Sequence, residues 1–150
     1  MTVSPKKWSV TMDKALNYLS LARKAGLCEL GEEPVGAITR TGKGYAILVA
    51  ADASDHTWRR AKSFAAGTEQ QCIRLPYSKE EMGFVVGRTS LAIAAVTDPA
   101  LALALVQSLP ADPRLEAPIA VLTQKAQRAK KRQAEAKAHK RNVRMGKTKK

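Results

Sequence analysis

Residues 45–50 form a continuous apolar run, Tyr45-Ala46-Ile47-Leu48-Val49-Ala50. Six apolar residues without alternation predict a β-strand that is buried on both faces of a sheet. A short segment at residues 72–75, closed by Pro76, and an apolar run at residues 91–96 predict two more strands. Between the first two runs, residues 52–56 supply loop and capping residues, and a helix is predicted from about residue 56 to residue 66.

The segments between and around these strands carry helix signals. Pro34 suits the first position of a helix, where its missing N–H costs nothing. Ser78 and Glu81 match a capping box, and Asp98 followed by Pro99 matches a helix start. These signals predict helices at about residues 12–25, 34–41, 78–87 and 98–109, and a short strand at about residues 27–30. The alternation of helices and strands predicts the fold class α/β, as a three-layer α/β/α sandwich with a mixed sheet of about four strands.

Positive charge is concentrated at the C-terminal end. The whole chain of 150 residues has a formal net charge of +13, of which +3 falls on residues 1–110 and +10 on residues 111–150. Prolines at 110, 113 and 118 indicate a linker. The sequence therefore predicts a flexible leader at 1–10, a domain at 11–110, a Pro-containing linker at 111–118 and a basic tail at 119–150, helical or disordered.

The sequence contains no pattern that assembles an enzyme or a metal site. Ser54, Asp55 and His56 are adjacent, whereas triad residues normally come from distant positions, so capping and turn chemistry explain them better. Cys28 and Cys72 are far apart and form no CxxC motif, which favours two small buried side chains in a reducing compartment. We expect no cofactor and no metal. No apolar stretch is long enough to span a membrane and the N-terminus lacks an apolar signal core, so we expect a cytoplasmic protein.

The basic tail is the strongest functional signal in the composition. Clustered cations that neutralise phosphates release counterions, which gives salt-sensitive binding to any nucleic acid. A solubility tail, or a charged helix without a partner, is the alternative interpretation. The tail residues expected to contact phosphates are Lys130, Lys131, Arg132, Lys140, Arg141 and Arg144.

Several segments, in order along residues 12–109, resemble a known family. They resemble bacterial members of the ribosomal-protein superfamily that recognises kink-turn RNA, typified by the archaeal large-subunit proteins seven-A-e and thirty-e. The resemblance implies an α/β/α sandwich and RNA binding. The segments that carry it are Leu21-Ala22-Arg23-Lys24-Ala25-Gly26, Gly31-Glu32-Glu33, Leu48-Val49-Ala50-Ala51-Asp52-Ala53-Ser54, Ser78-Lys79-Glu80-Glu81-Met82-Gly83 and Ala94-Ala95-Val96-Thr97-Asp98.

The resemblance also implies where RNA binds. The family motif at the start of the second helix is a small residue, Asn, Glu, two variable positions and Lys. Here its positions are Gly31, Glu32 in place of Asn, Glu33 and, in place of Lys, Gly36. A second contact loop corresponds to Arg88-Thr89-Ser90.

Together, these observations predict a non-catalytic protein that recognises structured RNA, either kink-turn-like or ribosomal. In this interpretation the tail adds nonspecific phosphate contacts. The alternatives are a ribosome-associated protein–protein adaptor, with ribosome-associated proteins as partners, and a general nucleic-acid binder driven by the tail. No membrane partner is expected.

Overall fold

The computed structural model describes residues 13–146, with side chains described for 13–140. The helices are α1 (Lys14–Ala25), α2 (Glu32–Arg40), α3 (Asp55–Ala65), α4 (Lys79–Val85), α5 (Pro99–Gln107) and α6 (Glu116–Gly146), with a 3₁₀ turn at Pro113–Leu115. The strands are β1 (Cys28–Leu30), β2 (Ala46–Val49), β3 (Gln71–Arg74) and β4 (Ile93–Val96). The predicted leader at 1–10 lies outside the described residues.

The four strands form one mixed sheet in the order β1-β4-β2-β3. β4 pairs antiparallel with both β1 and β2, whereas β2 and β3 are parallel. β1, β2 and β3 therefore end at one edge of the sheet, which we call the carboxyl edge, and they begin at the opposite amino edge. Every residue of β2 and of β4 is buried, as the apolar runs predict for strands covered on both faces.

Successive residues of β2 belong to two different cores, one on each side of the sheet. Leu48 packs in a cluster formed with α1, α4 and α5. Ile47 and Val49 pack in a second cluster, with side chains of α2 and α3. Because side chains alternate along a strand, one short strand supports two helical layers. The predicted three-layer α/β/α sandwich with a mixed four-stranded sheet is confirmed.

Helix α6 begins at Glu116, inside the segment that the sequence suggested was a linker. Leu122 is 1% exposed and belongs to the same core cluster as α1 and α5. Ile119, three residues earlier, packs against that cluster, because residues at this spacing share one face of a helix. The first turns of α6 are therefore part of the folded body, and only the later turns extend from it.

Two local expectations differ from the structure. Pro34 is the third residue of α2 and not the first, because Glu32 and Glu33 already form the start of the helix. The position still suits proline, since the N–H groups of the first turn have no partner within the helix. At α1, which the sequence predicts to begin at about residue 12, the cap position belongs to Asp13 and the helix begins at Lys14.

Among the helices of residues 13–146, none combines the length and the apolar character needed to cross a membrane.

We predict that Leu122→Ala lowers the free energy of unfolding by about 2–5 kcal/mol, because it leaves a cavity in a closed core. The measurement is urea denaturation of the full chain. Leu21→Ala is the matched control: Leu21 is 53% exposed, so its removal should change stability by about 0.5 kcal/mol or less. Equal effects of the two substitutions would contradict the docking of α6.

A second prediction concerns the contact that fixes α6 beside the amino edge. Lys125 forms an ion pair with Glu69, and hydrogen bonding and charge from Lys125 hold the pKa of the Glu69 carboxyl below its usual range. Because the pKa of Glu69 is lowered in the folded state, the ion pair stabilises the fold at pH values above the ordinary carboxyl pKa. This stabilisation is lost as the pH falls through the lowered pKa. Lys125→Gln should raise the pKa of Glu69 toward its ordinary value in an NMR titration. Arg128 lowers the pKa of Glu69 less than Lys125 does, so Arg128→Gln should raise that pKa by a smaller amount.

Candidate functional site

Three helix N-termini and one loop meet at the carboxyl edge of the sheet. Backbone hydrogen bonds join the segments: the Gly31 amide donates to the Ile93 carbonyl at 3.0 Å, and the Ala50 amide donates to the Ala92 carbonyl at 2.9 Å. The Ala51 amide donates to the Tyr77 carbonyl at 2.7 Å. The starts of α2, α3 and α4 therefore lie beside the loop that precedes β4. This juxtaposition brings together the two RNA-contact segments implied by the resemblance, residues 31–33 and 88–90.

The three helix starts differ in how their amides are satisfied. Ser54 caps α3, since its hydroxyl accepts from the Thr57 amide, and Ser78 and Glu81 form the predicted capping box of α4. At α2 the cap residue is Gly31, which has no side chain and makes no side-chain cap. Its φ of 98° is a conformation that suits glycine. Among the three helix starts that the structure describes at this edge, α3 and α4 have side-chain caps. The first-turn amides of α2 have no side-chain acceptor.

The Glu32 carboxylate is held against α3. Thr57, which is almost fully buried, donates its hydroxyl to Glu32 Oε2 at 3.1 Å. The Nε atom of Arg60 lies 3.5 Å from Glu32 Oε1. Ser54 in turn donates its hydroxyl to Thr57 Oγ1 at 3.2 Å. Glu32 therefore fixes the start of α2 on α3 with both of its oxygens.

Glu33 and Gly36, the other two motif positions, have opposite environments. Glu33 is exposed in the first turn of α2, where a carboxylate interacts favourably with the helix dipole. Gly36 is buried, and a Cβ atom there would lie 3.2 Å from Cζ of Phe64. Arg60 lies over the same ring, 5.1 Å from its centroid. Any side chain at position 36 would therefore require the Phe64 ring to shift by a few tenths of an ångström.

The second segment, Arg88-Thr89-Ser90, is exposed and rests on α4. The Arg88 amide donates to the Gly83 carbonyl at 2.8 Å. A Cβ atom at Gly83 would lie only 2.7 Å from Cα of Ser90. The absence of a side chain at position 83 therefore sets the position of this loop on the helix.

The tail residues are not part of this constellation. Lys130, Lys131, Arg132 and Lys140 are exposed on the later turns of α6. The side chains of Arg141 and Arg144 lie outside the described residues.

A groove beside the edge strand β3 was not foreseen from the sequence. It encloses about 660 Å³ and is lined by side chains that include Trp58, Ile73 and Pro118. Arg74 lies 4.7 Å from the centroid of the Trp58 ring, and Lys62 lies 5.4 Å from it. The Trp58–Lys62 contact lies within α3, whereas the Trp58–Arg74 contact and the groove itself join residues far apart in sequence, which no local pattern could have indicated.

The two cysteines are free thiols on the two edge strands. Cys28 packs against the core on one side of the sheet and Cys72 against the core on the other. Burial raises the pKa of both thiols, that of Cys72 to about 11, so the neutral form predominates near neutral pH. Among residues 13–140, no three His, Cys, Asp or Glu side chains are grouped so that they could hold a metal ion.

We predict that Gly83→Ala displaces the 88–90 loop, since the added methyl group meets backbone atoms and not a flexible side chain. Overpacking of this kind costs about 1–3 kcal/mol. Amide chemical shifts of residues 88–90 should change together with a loss of thermal stability. Glu80→Ala, an exposed position on the same helix, is the control and should leave those shifts in place.

Comparison with known proteins places the chain in a family. No protein-family model matches it. Over 75 residues it is 35% identical to the RNA-binding protein YlxQ of Enterococcus faecium, a match that covers 50% of this chain and 72% of that protein. A solved structure of a protein of unknown function from Bacillus halodurans C has a TM-score of 0.59 and 23% identity, covering 64% of this chain and 96% of the other, which shows a shared fold. The chain belongs to the family of the RNA-binding protein YlxQ, within the superfamily typified by the ribosomal proteins seven-A-e and thirty-e.

Proposed function

We propose that this protein is a non-catalytic, cytoplasmic RNA-binding protein that recognises structured RNA at the carboxyl edge of its sheet. The observation that carries the proposal is that the uncapped start of α2 and the exposed 88–90 loop lie at the same edge of the sheet. The relative from Enterococcus faecium is described as an RNA-binding protein, which agrees with this assignment.

The start of α2 supplies the contact to the RNA backbone. Backbone amides at a helix N-terminus, together with the helix dipole, bind phosphate oxygens. The amides of Glu32 and Glu33 have no acceptor within the helix, because the first residues of any helix lack one. Held against α3 by Thr57 and Arg60, the Glu32 carboxylate keeps this helix start in place before RNA arrives.

Exposed side chains at the same edge read the shape of the RNA. Glu33 accepts hydrogen bonds from base amino groups, since an ionised carboxylate is only an acceptor. Arg88 donates to phosphate or to a base edge, and the hydroxyls of Thr89 and Ser90 add shorter polar contacts. A sharply bent RNA, such as a kink-turn with sheared G·A pairs, presents amino groups and backbone close together. Ribosomal RNA is one source of such folds.

The basic tail adds affinity that does not depend on RNA sequence. Lys130, Lys131, Arg132 and Lys140 are exposed and available to phosphates, and we include Arg141 and Arg144 with them. Each phosphate contact of this kind makes the affinity more sensitive to salt.

The test of the reading surface uses two hairpin RNAs that differ only in the bend. One contains a kink-turn with tandem sheared G·A pairs, and in the other Watson–Crick pairs replace them. The full-length protein should bind the kinked hairpin about tenfold or more tightly, which corresponds to about 1.4 kcal/mol. Glu33→Ala should reduce this preference, and Glu80→Ala should not. Equal affinity of the unmodified protein for the two hairpins would refute shape reading at this edge.

The tail makes a different prediction. Replacing Lys130, Lys131, Arg132, Lys137 and Lys140 by glutamine should weaken binding to both hairpins. The slope of log affinity against log salt should fall by about 0.9 or less for each phosphate that the variant no longer neutralises. Binding is measured by fluorescence anisotropy between about 50 and 200 mM salt. An unchanged slope would show that the tail does not contact phosphates.

A further inference from the structure

The path of α6 across the body determines where the basic tail lies. Near its start, Leu115 and Pro118 line the groove that also contains Ala51 and Pro76, which follow β2 and β3 at the carboxyl edge. Ten residues after Leu115, Lys125 pairs with Glu69, which precedes β3 at the amino edge. The helix therefore runs from the carboxyl edge to the amino edge, opposite in direction to β2 and β3.

The same end of the molecule is identified by a second set of contacts. Lys125 borders a small cavity with Gly42, which follows α2, and with Tyr45, which precedes β2. The side chain of Gln70 binds the Gly44 amide at 2.7 Å, and its own amide group donates to the Thr39 carbonyl at 3.1 Å. The amino edge is thus a closed, hydrogen-bonded end, and α6 passes it at Lys125.

Beyond this point α6 leaves the body. Every described side chain from Lys130 to Lys140 is exposed, so no face of this part of the helix is covered by the domain. At 1.5 Å per residue, Lys130 lies about 7 Å and Lys140 about 22 Å past Lys125 along the axis. The distance from the amino edge to the carboxyl edge is about 13 Å, since a strand of four residues rises about 3.3 Å per residue.

The basic residues are therefore about 20–35 Å from the carboxyl edge along the direction of the strands. Screening by physiological salt reduces the interaction of exposed charges beyond about 8 Å. The tail charges consequently contribute little to a phosphate bound at the start of α2. A short RNA segment held at the carboxyl edge is therefore out of reach of these cations, and only an RNA arm that extends about 20 Å or more along the molecule can contact them.

Charge on the projecting helix suits a second polyanion. Between residues 130 and 140 there are five cations and a single acidic residue, Glu135. Arg40 in the last turn of α2 and Lys43 after it are exposed at the same amino edge and add to this positive surface. Cations distributed around all sides of a helix match a phosphate backbone better than they match a flat acidic patch.

We propose that the protein bridges two RNA segments, one read at the carboxyl edge and the other bound through its phosphates by the projecting part of α6. This inference rests on the proposed function, because it takes the carboxyl edge as an RNA-binding surface. The two segments belong either to distant parts of one folded RNA or to two molecules. The protein then acts as a spacer that holds two RNA elements apart at a set distance.

The experiment is a two-RNA capture with the full-length protein. The kinked hairpin is immobilised, protein is added, and a labelled, plain 20-base-pair RNA duplex is applied at physiological salt. We expect the duplex to be retained only when protein is present, in complexes whose mass corresponds to one protein, one hairpin and one duplex. The five-glutamine tail variant should bind the hairpin with the reduced affinity stated above. At protein concentrations that saturate the hairpin, it should retain the duplex at least about tenfold less than the unmodified protein does.

Arg40→Gln together with Lys43→Gln is the matched control for charge at the amino edge outside α6. It should reduce retention of the duplex far less than the tail variant does. Arg88→Ala should release both RNAs together, because it acts on the hairpin that anchors the complex.

Three results would overturn bridging while leaving the proposed function intact. They are displacement of the hairpin by the duplex, retention of the duplex by the tail variant at the unmodified level, and a mass that shows two proteins in each complex. Failure of the protein to bind the kinked hairpin at all would instead refute the proposed function itself.

Discussion

The position of β4 between β1 and β2 is the constraint on which the rest of the structure depends. Because β4 is antiparallel to both neighbours, β1 and β2 must point the same way, and β3 follows β2 in parallel. The helices that follow β1, β2 and β3 therefore all begin at one edge, and the loop before β4 enters at that edge as well. The hydrogen bond from the Gly31 amide to the Ile93 carbonyl joins the first candidate contact segment to the start of β4, shortly after the second segment, residues 88–90. The strand order therefore determines which backbone segments meet at the candidate site. The side chains at those positions then determine what the site can bind.

Most of the architecture could be predicted from local signals. The apolar runs of β2 and β4 were long enough to indicate strands buried on both faces, and the residues Ser78 and Glu81 marked the start of α4 correctly. Ser54 caps α3, in agreement with the interpretation of residues 54–56 as capping and turn residues. Such signals work because each depends on a few adjacent residues whose backbone geometry is nearly the same in every protein.

What could not be predicted depends on residues far apart in the chain. Glu32 and Thr57 are 25 residues apart, and their hydrogen bond follows from the packing of α2 on α3. The role of Leu122 was hidden for another reason: a few apolar residues at the start of a highly charged segment are assigned to the solvated tail unless the surface they cover is known. Gly36 shows the same limit, since its close approach to the Phe64 ring follows from the packing of α2 on α3.

The burial of Leu122 also has a consequence for the order in which the chain is made. A ribosome releases the N-terminal part of a chain first, and domains fold as their residues emerge. Here the sheet and five helices can emerge while the core that α6 closes is still open, because that core lacks Leu122 until the start of α6 follows. The strongly cationic part of α6 comes out only after that residue. The residue that completes this core therefore leaves the ribosome before the basic segment does, and the order of synthesis allows the core to close before these cations are exposed to polyanions.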